Sequence, residues 1–155
     1  MIFDQLFELN WKTIKSLNMK VLAIYCKSFS YHPATKSLPN IENITDGKAF
    51  ADCIVAFIQV EAEDEEKELS GREKKLVNHL KWTARKNNTN TIVLHSFAHL
   101  SDSKGSIEYT KSLFDLAQLR LINGGYKTEQ TSFGYFLDLK IEAPGFSLAR
   151  IWASL

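Results

Sequence analysis

The chain has 155 residues, 45% hydrophobic and 24% charged, with 19 basic and 18 acidic side chains and a formal net charge of +1. That suffices for one domain around one core, and the even balance excludes both a charged disordered tail and a strongly basic nucleic-acid binder, so any RNA contact must be local. The two cysteines, Cys26 and Cys53, lie in apolar runs without CxxC spacing or paired histidines, which argues against a disulfide framework or a zinc site and predicts reduced core thiols in a cytoplasmic protein.

No apolar run reaches membrane-spanning length and no basic leader opens the chain, so neither a membrane nor secretion is expected. Residues 1–18 place Phe3, Leu6, Phe7, Ile14 and Leu17 near one side of a helix interrupted at Asn10, which predicts a short docking helix. Met19 is a second candidate start. Lys20 to Cys26 is a compact β-forming run and predicts the first strand. From Lys27 to Lys48 the composition turns to Ser, Pro, Asn and Gly, including Asp46-Gly47, and predicts a loop. Ala51 to Glu61 predicts a second strand, followed by a solvated acidic connection from Glu61 to Glu68. Ser70 to Glu73 offers a capping box for a helix burying Leu76, Val77, Leu80 and Ala84 and ending near Asn87 to Asn90.

Thr91 to His95 predicts the third strand. A second helix follows from about Ser106 to Ile122, with Ile107, Phe114, Ala117 and Leu121 on one face and Asn123-Gly124-Gly125 as its stop. Tyr126 to Phe133 and Tyr135 to Ala143 predict a strand pair about Gly134, and Ser147 to Leu155 a short terminal helix. The order β-β-α-β-α-β-β-α predicts an α/β fold in one domain, a mixed β-sheet covered by helices.

The loop after the third strand leaves the carboxyl end of an inner strand, where open α/β sheets place ligands. His99 stands in it. An imidazole there can exchange a proton near neutral pH or bond a substrate hydroxyl or amine, and it can equally cap the turn or the following helix. His95 reads as structural, His79 as solvated on a charged helix, and His32 as a loop residue. Gly134 marks either a close approach of backbone to a ligand or a bend. Arg72, Lys74, Lys75, Lys81, Arg85 and Lys86 form the polar face expected of an amphipathic helix, and that face could also meet phosphates. No P-loop, GxGxxG, nucleophile elbow or metal-ligand cluster is present, so no cofactor and no metal are expected.

Phe97-Ala-His-Leu-Ser101 with Phe133-Gly-Tyr135, and around them MKVLAIYC, IVAFIQVE, TSFGYFLDLKI and PGFSLARI, resemble the N-terminal editing domain of archaeal threonyl-tRNA synthetases from Met19 to about Leu155. The resemblance implies a fold similar to D-aminoacyl-tRNA deacylases, in a free-standing homologue. It implies hydrolysis of the ester that joins serine to the terminal adenosine of threonine tRNA. It further implies a pocket built largely from main chain, in which the 2′-hydroxyl of the tRNA would help to activate water. Val60, Phe97 and Ala98 would bind substrate with His99 as the catalytic residue, and Phe133, Gly134 and Tyr135 would form the opposite wall. Implied partners are the aminoacyl 3′ end of tRNA, a threonyl-tRNA synthetase in trans and a second copy in a homodimer. The family pattern has tyrosine then lysine where this chain has Phe136 and Leu137, and glutamate where it has Arg150. Arg150 is the candidate compensating charge. An alternative reading follows from these departures: a catalytically degenerate homologue that binds the aminoacyl-tRNA end or serves as a synthetase-associated module.

Overall fold

A computed structural model describes residues 18–155. The docking helix expected over residues 1–18 thus lies, apart from Asn18, outside the described residues. Six strands form one sheet: β1 (Lys20–Lys36), β2 (Lys48–Gln59), β3 (Thr91–Ser96), β4 (Lys127–Gln130), β5 (Tyr135–Glu142) and β6 (Arg150–Ser154). Their order is β4-β3-β2-β1-β5, with β6 also on β1. β1 is antiparallel to β2, β5 and β6, whereas β3 runs parallel to both β2 and β4. The parallel pairs are the ones joined through helices, α1 (Leu69–Lys86) and α2 (Ile107–Asn123), because a parallel neighbour requires a crossover.

Both helices cover one sheet face. Leu76, Val77, Leu80 and Ala84 of α1 and Leu113, Phe114, Ala117 and Leu121 of α2 pack there on Val21, Ala23, Ile54, Ala56, Ile58, Ile92 and Leu94. Ile107, expected on that stripe, is 48% exposed. No helix among the described residues is long and apolar enough to cross a membrane.

The other face carries a second core of Cys26, Phe29, Tyr31, Cys53, Val55, Phe57 and Val93. Its membership shows how the sheet curls. Along β1 the residues on this face are even-numbered up to Cys26 and then odd from Phe29, and along β2 the parity changes between Phe50 and Cys53. Strict alternation would keep one parity, so the paired strands turn a corner between Cys26↔Cys53 and Phe29↔Phe50. Asp52 sits at that corner with φ +50°, and its carboxylate accepts a 2.6 Å hydrogen bond from the Tyr25 hydroxyl. That bond is the largest reason the phenol is pushed up to about 12. Beyond the corner the ribbon and β5 fold back over the sheet, and an ion pair from Lys48 on β2 to Glu129 on β4 ties down the far end. Cys26 and Cys53 face each other there as free, buried thiols.

Several elements differ from the sequence expectation. The stretch Lys27 to Lys36 is strand rather than loop, because Phe29 and Tyr31 gain a core, and Pro33 is accommodated where the β1–β5 register shifts. His32 is consequently a strand residue opposite Asp138. The expected terminal helix is a short 3₁₀ turn, Ser147–Ala149, followed by β6, which satisfies the otherwise open edge of β1 from Lys20 to Ile24. The strands around Gly134 do not pair with each other: β4 joins β3, and β5 joins β1 on the other side of the sheet. α1 starts at Leu69 after Glu68 with no side-chain cap, so the Ser70–Glu73 box is not used. In the acidic connection Glu61 and Asp64 are fully buried rather than solvated. Asp64 meets Arg72 of α1 at 2.6 Å, which removes Arg72 from the polar face as well.

Candidate functional site

β2 and β3 end side by side, Ile58 opposite Ser96, and the chain leaving β3 crosses back over the end of β2. The Phe97 amide donates to the Ile58 carbonyl at 2.9 Å, and the Gly105 amide to the Val60 carbonyl at 2.7 Å. Between these anchors the loop has no ladder to join, so its polar backbone needs other partners. Gln59 supplies them. Its side-chain amide donates to the carbonyls of Ser101 at 2.8 Å and Ser103 at 2.7 Å, and its carbonyl accepts from the Leu100 amide. Gln59 is 2% exposed, so these bonds are made away from competing water and hold the loop in one shape. The Ala62 amide donates to the Ser103 hydroxyl at 2.9 Å, and Gly105 packs so closely that a side chain there would meet Val60 Cγ1 at 2.8 Å. The Ser106 hydroxyl then caps α2 by accepting from the Tyr109 amide.

The turn held this way presents Phe97, Ala98 and His99. Phe97 packs edge-on to Phe57 at 5.3 Å, and the exposed His99 ring packs on Phe97 at 5.1 Å. The amides of Ala98 and His99 find no acceptor among the described residues. Two successive N–H donors are therefore free at the mouth of a loop tied down by Gln59. Val60 is buried behind it, its carbonyl occupied by Gly105. His95, under the loop, is buried against Phe57 and meets Thr131 Oγ1 at 2.9 Å, and burial pushes its imidazole down to about 4, so it is neutral at physiological pH. His79, expected in solvent, is half-buried on α1 and stacked on Trp82, and burial lowers it too.

The opposite wall is arranged differently. Phe133 turns toward the helix layer, 6.4 Å from Phe114, with the Lys111 ammonium over its ring. Gly134 has φ +85° and lies where a side chain would meet Ile41 Cδ1 at 2.8 Å; its carbonyl accepts from the Ser37 amide. The close approach is thus to the 37–47 segment of the chain itself. The Tyr135 hydroxyl is spent on the same segment, accepting from the Ile44 amide and donating to the Glu42 carbonyl. Phe136 is exposed, whereas Leu137 packs on the second core, as Phe97 does. Arg150 opens β6 opposite Ile24 and donates to the Pro144 carbonyl at 3.0 Å. Two clefts lie elsewhere. One of about 490 Å³ is lined by Asp52, Arg85 and Asn88 among others, and one of about 280 Å³ by Phe29, Phe50 and Lys140 among others.

Sequence reasoning missed Gln59. A lone polar residue near the end of the apolar run Ile54 to Val60 was the available signal.

Residues 19–155 match the family described as the archaea-specific editing domain of threonyl-tRNA synthetase. Among curated proteins, the threonine-tRNA ligase of Thermococcus sibiricus is 28% identical over 138 residues, covering 86% of this chain and 22% of that protein. The ligase of Methanocaldococcus jannaschii is 30% identical over 135 residues, with 86% and 21% covered. The chain thus spans about a fifth of the length of these relatives. Among solved structures, the c-Myc DNA Unwinding Element Binding Protein superposes with a TM-score of 0.60 at 14% identity, over 88% of this chain and 98% of that one. At that identity the likeness concerns the fold alone. With the family match it bears out the α/β, deacylase-like fold expected from the resemblance.

Proposed function

Because the chain belongs to the family of archaea-specific editing domains of threonyl-tRNA synthetase, we propose that it edits aminoacyl-tRNA by hydrolysing seryl-tRNA for threonine at the terminal adenosine ester. The observation that carries this reading is the pair of free amides at Ala98 and His99 in the loop pinned by Gln59. In ester hydrolysis water adds to the acyl carbon, the carbonyl oxygen becomes an oxyanion, and the adenosine hydroxyl departs with a proton. Donors already aimed at the oxyanion need no reorganisation, and losing one such donor typically costs on the order of a hundredfold in rate. His99, exposed at the same mouth, is placed to bond the amino group of the substrate or to carry the departing proton. Incubating the protein with seryl-tRNA for threonine and following ester loss tests the proposal. Turnover should fall at least tenfold in His99→Ala, and no loss above the buffer rate at high protein concentration overturns hydrolysis.

A second reading has its own support. Where the family resemblance expects lysine, Leu137 packs on the second core, and a leucine can neither orient water nor stabilise an oxyanion. On this reading the domain recognises the aminoacyl end without turning it over, alone or beside a threonyl-tRNA synthetase. Tight binding of a non-hydrolysable seryl-adenosine amide with no ester loss would select it.

A further inference from the structure

Across the face that carries the Phe97–His99 loop, the ladder places Trp152, Leu22, Phe57 and His95 as direct neighbours on four adjoining strands. Side chains opposite one another across a ladder share a face. One row therefore leads from β6 to the candidate site, for Phe57 carries Phe97 and Phe97 carries His99. Phe57 and His95 are buried and Leu22 is half-buried, while Trp152 at the outer end is 53% exposed. No ring or cation covers Trp152 among the described residues. It stands two strands from Phe57, about 10 Å at the usual strand spacing, a span that a nucleoside bridges.

Arg150 lies two residues earlier on β6 and points to the same face, opposite Ile24, which packs on the second core. It is exposed, with one guanidinium nitrogen held by the Pro144 carbonyl at 3.0 Å, which leaves donors for a ligand. An aromatic plane and a cation about 7 Å apart along a strand form the pair that single-stranded nucleic acid uses, a base on the ring and a phosphate on the cation. With a net charge of only +1, such a local device is what RNA binding by this chain requires.

We propose that Trp152 stacks on a base of the single-stranded 3′ end of the substrate and that Arg150 binds the adjoining phosphate, so that β6 holds the nucleotide whose ester enters the Ala98–His99 loop. This inference rests on the editing reading. It gives Arg150 a binding role at the edge of the sheet, in place of compensation for a missing charge at the ester.

The test uses the full chain and an acceptor-stem RNA hairpin with a single-stranded 3′ end, carrying serine on the terminal adenosine through a non-hydrolysable amide. The wild type should bind it with quenching of tryptophan fluorescence. Trp152→Ala should weaken binding about tenfold or more, the loss of one base-aromatic stack, and abolish most of the quenching, while Trp152→Phe stays within a few-fold. Arg150→Gln should lower the slope of log affinity against log salt by about 0.7, the share of one single-strand phosphate contact. If the wild type binds but Trp152→Ala and Arg150→Gln bind equally well with an unchanged salt slope, the clamp is overturned and the editing reading stands. Failure of the wild type to bind overturns both. Unchanged binding with altered sedimentation of Trp152→Ala assigns Trp152 to contact between copies and likewise overturns the clamp. Should Trp152→Ala not fold, the Arg150→Gln slope and the quenching in Trp152→Phe decide.

Discussion

Gln59→Leu keeps the volume of a fully buried side chain but leaves the Leu100 amide and the Ser101 and Ser103 carbonyls without their partners. Each buried group so orphaned costs about 1–3 kcal/mol unless the loop opens to water. Opening is the cheaper outcome, so the bonded loop amides of Leu100, Ser103 and Gly105 should exchange with solvent markedly faster while those of β2 and β3 keep their protection. Hydrogen exchange followed residue by residue checks this, and equal protection of the loop in both proteins would refute the role given to Gln59. His95 sets a pH dependence. Its folded value is about 4, below the ordinary value of 6.5. The unfolded chain therefore binds the extra proton first, and the contribution is fully present above pH 6.5 and lost as pH falls toward 4. The shift corresponds to about 3 kcal/mol, to which His79 adds in the same direction. Denaturant titrations between pH 7 and 4.5 should show stability falling, with a shallower fall in His95→Asn. The structural role of His95 was legible from its place inside a β-branched run. Gln59 was not, because nothing local says whether a polar residue near a strand end meets water or a returning loop.

Among the elements, those with strong periodicity were legible: both helices with their core faces apart from Ile107, the first half of β1, and β2 and β3. The misread ones are settled by tertiary partners. Ser147 to Leu155 has enough apolar residues for a helix, yet the open edge of β1 recruits Arg150–Ser154 as a strand. Lys27 to Lys36 has turn-like composition, yet two aromatic residues at period two find the second core. The corner between the halves of the β1–β2 ribbon depends on Asp52, whose φ of +50° is unusual for a residue with a side chain. Asp52→Val puts a β-branched side chain into that conformation and also removes the acceptor of the Tyr25 hydroxyl, and should destabilise the protein by about 2–3 kcal/mol. Asp52→Gly relieves the backbone while losing the same bond, and should lie within about 1 kcal/mol of wild type. Urea midpoints of the two variants separate backbone strain from side-chain bonding; equal midpoints would mean that the corner does not depend on left-handed backbone.

At the scale of the molecule, a buried ionic knot joins parts remote in sequence. Asp64, from the connection after β2, accepts from Arg72 of α1 at 2.6 Å and from the Met19 amide at the head of β1, while Arg72 also donates to the Leu155 carbonyl just beyond β6. The Leu155 amide in turn donates to the Met19 carbonyl at 2.9 Å, and Glu61 lies fully buried 3.5 Å from Lys20. β6, which carries Trp152 and Arg150, is thus fastened at its far end by the same arginine that holds the start of the sheet. Such a pair adds little over an apolar replacement of both partners, since desolvation offsets most of the attraction, but removing one partner strands a charge in the core. Arg72→Met should therefore cost about 3–5 kcal/mol, which for a domain of this size lowers the melting temperature by roughly 6–20 °C. Adding Asp64→Asn removes the stranded carboxylate, and the double variant should melt above Arg72→Met alone. Calorimetry of wild type, both single variants and the double variant gives the coupling directly. A double variant that melts at the temperature expected from adding the single effects would show the two side chains to act independently, and the knot would then be a coincidence of packing rather than the fastening of β6.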